Sequence, residues 1–190
     1  MRKTRLLMTF LLLFASAGMA LAQESTMSEA PTVTQVLDHA ITSVEHEFVP
    51  AAEAMPADKY SYAPTSGEFK GVRTFAQQVK HVATANYEFG AVILGEKSPV
   101  EAGSDENGPD SVKSQEEIVK YLKDSFAYLH KAVLTVNEKN EVEPMKNPWG
   151  KGTITRLQIA VLAAAHPFDH YGQMVEYLRS NGIIPPASRH

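Results

Sequence analysis

The chain has 190 residues and no cysteine. That absence excludes thiolate zinc sites, iron–sulfur clusters, CxxC redox pairs and cysteine nucleophiles. Any transition-metal site must therefore be built from histidine and carboxylate. Positive charge is also scarce: 18 Lys and Arg stand against 22 Asp and Glu, a formal charge of −4. Nucleic-acid binding requires a basic footprint and is not expected. Beyond residue 22 no apolar run is long and uninterrupted enough to span a membrane. No segment alternates convincingly as a strand, and there is no internal repeat. What is present is the composition of an ordinary globular domain, 44% hydrophobic and 21% charged, long enough to bury a core without disulfides.

The first 22 residues stand apart. Met1 to Arg5 is a basic segment, Leu6 to Ala20 an uncharged apolar run, and Ala20-Leu21-Ala22 a small-x-small cleavage site. This is the pattern of a secretory signal peptide cut after Ala22, and it predicts a secreted or periplasmic protein. No cysteine follows the site, so lipid anchoring is excluded and no membrane anchor remains after cleavage. Cleavage would leave 168 residues. Losing Arg2, Lys3 and Arg5 would take the formal charge from −4 to −7. Residues 23–32 read as a flexible leader, 33–186 as one domain and 187–190 as a tail.

Four amphipathic helices are expected in that domain. The first spans Val33 to Phe48, with Val36, Leu37, Ile41, Val44 and Phe48 on one face and Pro50 ending it. The second spans Thr74 to Leu94, stopped by Gly95. The third starts at Ser114, which forms a capping box with Glu117. The fourth spans Thr153 to Ser180, before Asn181-Gly182. Pro167 lies within it and predicts a kink. The architecture is all-α, a four-helix bundle, and its long loops allow crossover connections.

Histidine carries the chemical signal. Of seven, His39 and His46 lie opposite the apolar stripe of helix one, and His130 also reads as surface-facing. His166 and His170 are four apart, hence one turn apart on one face, within the apolar stripe of helix four. Two such imidazoles can hold one metal ion, as in the HExxH helix, although the glutamate of that motif is absent here. They can equally be two hydrogen-bonded core histidines. A third ligand would come from another helix. His81 is the best placed, on a shoulder of helix two beside small residues, where spacing leaves its burial open. Gln173, one turn beyond His170, is either a group that orients a ligand or a surface amide. Asn86, at the centre of the helix-two stripe, is a structural bridge or part of a pocket wall. Asp169 reads as a surface acid. No general base stands out.

These segments resemble a known family. MPADKYSYAP, from Met55 to Pro64, is similar to the MPxxKYxxxPT opening of DinB-like proteins. FAQQVKHVATANY, from Phe75 to Tyr87, resembles their second helix, which carries one metal-binding histidine. HPFDHYGQMVEYLRSNGIIPP, from His166 to Pro186, resembles their last helix, with His-x-x-x-His before Gly-Gln. The likeness spans Val33 to Pro186. It implies an up-up-down-down bundle holding a divalent transition metal on His81, His166 and His170. Zinc or nickel is the expected ion, with iron as in related sulfoxide-synthase domains. Some relatives are thiol transferases using bacillithiol or mycothiol, and relatives are often homodimers. The family name reflects induction by DNA damage, not DNA binding. Two readings follow: a metal-dependent hydrolase or thiol S-transferase acting on a small-molecule substrate, or a non-catalytic metal- or small-molecule-binding protein of the envelope. A third is an oligomeric helical domain with structural histidines. Export weighs against thiol transfer, because low-molecular-weight thiols are mainly cytosolic.

Overall fold

A computed structural model describes residues 30–189. The expected signal peptide and its cleavage point lie outside the described residues. Four helices dominate: α1 Val33–Ala54, α2 Phe75–Leu94, α3 Gln115–Val133 and α4 Arg156–Ser180. α1 packs on α3 and α4, and α2 packs on the same two, so α1 lies across the bundle from α2 and α3 across from α4, while α2 and α3 are neighbours. This is the all-α arrangement expected, with long crossovers in place of tight hairpins. No helix among the described residues is long and apolar enough to cross a membrane.

Each helix opens on a capping box: Thr32 with Gln35, Thr74 with Gln77, Ser114 with Glu117 and Thr155 with Gln158. In each, the hydroxyl accepts the N3 amide and the N3 side chain accepts the cap amide, which satisfies two orphan donors. Only the Ser114 box entered the sequence reading, so the start of α4 moves from Thr153 to Arg156. Thr153–Thr155 instead forms a strand, β2, antiparallel to β1 at Pro144–Lys146. Strands of three residues are too short to show a period of two.

α1 does not end at Pro50. It continues to Ala54, because Ala51, Ala52 and Met55 are buried beyond the proline and their packing outweighs one lost amide bond. Val36, expected on the apolar face of the first helix, is 53% exposed. The buried face of α4 is carried by Ile159, Ala160, Ala163, Pro167, His170, Met174, Tyr177 and Leu178. His166 therefore sits at the edge of that face rather than at its middle. The helix runs on through Pro167 to Ser180.

The segment after α1 docks the start of α2. Tyr60 is buried and its hydroxyl donates to the Ala52 carbonyl at 2.7 Å. The Phe75 and Ala76 amides donate to the carbonyls of Tyr62 and Tyr60, both at 2.8 Å. Tyr62 meets Tyr177 edge-on at 5.7 Å, and the Tyr177 hydroxyl donates to the Arg73 carbonyl at 3.0 Å. These contacts tie the first turns of α2 to α4, where the histidines meet.

Candidate metal centre

His81 comes from the second turn of α2, and His166 and His170 from successive turns of α4. Their rings lie 4.6–5.1 Å apart, centroid to centroid, and mutually edge-on. His166 Nε2 is 3.2 Å from the Nε2 of His81 and 3.2 Å from that of His170. His81 and His170 are buried and His166 half-buried. Three side chains that the spacing alone left ambiguous thus converge on one point.

The outer nitrogens decide what that point can do. His81 Nδ1 is 3.0 Å from the Glu106 carbonyl, which can only accept, so Nδ1 carries the proton. Gln78 Nε2 donates to Gln173 Oε1 at 2.8 Å. That orientation turns Gln78 Oε1 toward His170 Nδ1, which donates to it at 2.6 Å. Both Nε2 atoms are then bare lone pairs directed inward. His166 has a buried Nδ1 without a partner. If its proton is on Nδ1, three lone pairs face one another. If it is on Nε2, it can serve only one of its two neighbours. Neither arrangement satisfies the site, whereas one cation satisfies all three nitrogens.

The spacing agrees with that conclusion. Zn–N distances of about 2.0–2.1 Å put tetrahedral ligand nitrogens about 3.3–3.4 Å apart and octahedral neighbours about 2.8–3.0 Å apart. The observed 3.2 Å lies between them and admits either geometry.

Burial and neighbours keep the imidazoles neutral. Desolvation, with the charges that His170 and His81 would carry, pushes His166 down to about 3. Desolvation, then His81 and Arg73, pushes His170 down to about 4. Desolvation also lowers His81 against the opposing pull of the Glu106 carbonyl. Neutral imidazole is the form that ligates metal.

The loop after α2 is what holds His81. Asp105 and Glu106 both take positive φ, 54° and 56°, which aims the Glu106 carbonyl at the ring. Gly103 allows this turn: a Cβ there would lie 2.1 Å from the Gly108 carbonyl oxygen. Arg73 fastens the loop, donating from Nε to Asn107 Oδ1 at 2.9 Å and from Nη2 to the Asp105 carbonyl at 2.8 Å. The Glu106 carboxylate stays on the outer side of His81, 3.9 Å from Nδ1.

Gln173 is exposed and reaches His170 only through Gln78, while its own Nε2 contacts Asp169 at 3.4 Å. Asn86 is fully buried and donates to Ser125 at 3.2 Å, bridging α2 to α3. His39 and His46 are exposed. His130 differs from its surface reading: it is half-buried between Asp38 at 2.6 Å and Glu45 at 3.1 Å. Gln78, Arg73 and the Glu106 carbonyl were not picked out from sequence. Gln78 could have been, since it lies one turn before His81 on the same helix.

The family model described as DinB superfamily matches residues 40–174. The chain is similar in fold to a solved structure, that of a conserved protein from Enterococcus faecalis, with a TM-score of 0.63 at 16% identity. The match covers 79% of this chain and 97% of that one. No curated protein matches the chain.

Proposed function

The chain belongs to the DinB superfamily, and on that premise we propose that it holds one divalent transition-metal ion on the Nε2 atoms of His81, His166 and His170. The ion proposed is zinc or nickel, with iron the third choice. The protein is proposed to act on a small-molecule substrate as a hydrolase or transferase. One observation carries the reading: protein acceptors hold the protons of His81 and His170 on Nδ1, so their Nε2 lone pairs converge beside the Nε2 of His166. When bound, such an ion supplies Lewis acidity at the coordination position that three imidazoles leave open. The chain's own part is to keep the imidazoles neutral, fix their tautomers and shield them with Phe89, whose ring meets His166 edge-on at 5.6 Å.

Non-catalytic binding is the second reading. It is favoured by the position of the Glu106 carboxylate, which lies beside His81 Nδ1 on the outer side of the ring and not at the converging Nε2 atoms. Export to the periplasm or medium is part of the proposal. It is supported by the basic segment, the apolar run and the cleavage site at Ala20–Ala22.

Metal analysis of tag-free protein tests the ligand set. One equivalent is expected in the wild type and none in His166→Ala; unchanged metal in the variant would refute the assignment. Screens for ester and amide hydrolysis and for thiol conjugation, run on the metal-loaded protein, then separate the two readings. Turnover in neither favours binding.

A further inference from the structure

Beside the triad, a chamber of about 590 Å³ with mostly polar walls opens between the start of α2, the loop at 103–108 and α4. Its hydrogen-bond inventory is lopsided. Arg73 commits Nε and Nη2 to the loop, which fixes the guanidinium plane and leaves Nη1 with no partner among the described residues. Asn107 Oδ1 is occupied by Arg73 Nε, and Gln77 Oε1 accepts from the Thr74 amide at 2.8 Å. An amide whose oxygen is occupied offers its NH₂ group. Arg73, Gln77 and Asn107 therefore present donors to one chamber, and a guest that accepts hydrogen bonds matches them.

The charge balance limits that guest. Arg73 is the one cationic side chain lining the chamber, and Asp105 lines it too. The two formal charges cancel, so a guest with one negative charge leaves the chamber at −1 whereas a dianion would leave it at −2. A carboxylate also matches the charged N–H donors that remain on Nη1 of the fixed guanidinium. A second space of about 460 Å³, walled by Tyr62, Phe69, Glu176 and Tyr177, adjoins the chamber at a junction that shares Val72 and Gln173 with it. Phe69 and Val72 are large apolar side chains left 41% and 37% exposed at that junction.

We propose that the two spaces form a binding site for a small organic monocarboxylate. Its carboxylate sits on Arg73, Gln77 and Asn107, and its apolar substituent lies against Phe69, Val72 and the two tyrosines. The site goes beyond the metal reading and does not depend on it. The two are joined physically, because Gln78 lines the chamber and accepts from His170.

Calorimetric titration of metal-free and zinc-loaded full chain with 3-phenylpropionate, its neutral amide and phenyl phosphate tests this. The acid should bind saturably in both forms, at least tenfold tighter than either comparator. Gln77→Glu keeps the capping acceptor, so the helix start survives. It replaces a donor with a negative charge and should weaken the acid at least tenfold, and by more than it weakens the amide. Phe69→Ser should weaken phenylpropionate but not acetate. Equal binding of acid and amide, tighter binding of phenyl phosphate, undiminished binding to Gln77→Glu, or no saturable binding of the acid overturns the proposal.

Discussion

His170 on α4 donates from Nδ1 to the side-chain carbonyl of Gln78 on α2 at 2.6 Å. The tautomer of one imidazole is thus set by an amide on the opposite helix, and that amide is itself oriented by Gln173. Removing the acceptor should free His170 to place its proton on Nε2, where it blocks ligation. Gln78→Leu is expected to lower zinc affinity by about 10–100-fold, the usual size of such outer-shell effects. Gln78→Glu, which keeps an acceptor, should retain it. Chelator-competition titrations read both values, and equal affinity in all three proteins would sink the idea.

The loop carbonyl that holds His81 makes a second prediction. In Gly103→Ala, the new Cβ would lie 2.1 Å from the Gly108 carbonyl oxygen at a φ of +70°, so the loop must shift and take Glu106 with it. Helix content by circular dichroism should be unchanged, while zinc affinity falls roughly tenfold. Gly172→Ala is the control. It lies within α4 with open space around it, and should raise stability by about 1 kcal/mol without touching metal binding.

Proton release on zinc binding offers a third. An imidazole of ordinary pKa, about 6.5, is mostly protonated at pH 5.5, and three of them would give up nearly three protons on binding metal. Here His166 and His170 are already neutral in the folded protein, with values near 3 and 4. Calorimetry at pH 5.5 in buffers of different ionisation enthalpy should therefore show less than one proton released. The same shifts act on the metal-free fold. Because the unfolded chain takes up these protons first, stability should decline as pH falls below 6.5 toward about 4.

His130 should behave in the opposite sense. Hydrogen bonds to Glu45 and Asp38 outweigh desolvation and raise its pKa above 6.5. Its contribution is therefore complete below pH 6.5 and disappears as pH rises through the folded value. The gap in Tm between wild type and His130→Gln should be wide at pH 5.5 and close by pH 9. A gap that stays the same across that range would show that the clamp between α1 and α3 works through packing alone.

How much of this was legible beforehand depended on the kind of signal. The pairing of His166 with His170 follows from helical spacing. Spacing made His81 the best-placed third ligand but left its burial open, since no local pattern tells a shoulder histidine which neighbour it faces; the family motif joined it to the pair. Pro50 misled because core burial of Ala51, Ala52 and Met55 outweighs a local preference. The Glu106 carbonyl could not be read at all: a backbone group has no side-chain signature, and only the flanking Gly103 and Gly108 hint at the turn that aims it.

The single tryptophan has a use that follows from its place in the hairpin loop. Trp149 meets Phe89 edge-on at 5.7 Å, and Phe89 meets His166 at 5.6 Å. The chain therefore carries one indole fluorophore separated from the imidazoles by a single phenyl ring. Nickel arriving at the centre should quench that emission and zinc should leave most of it, so the unlabelled protein reports optically on which ion it has taken.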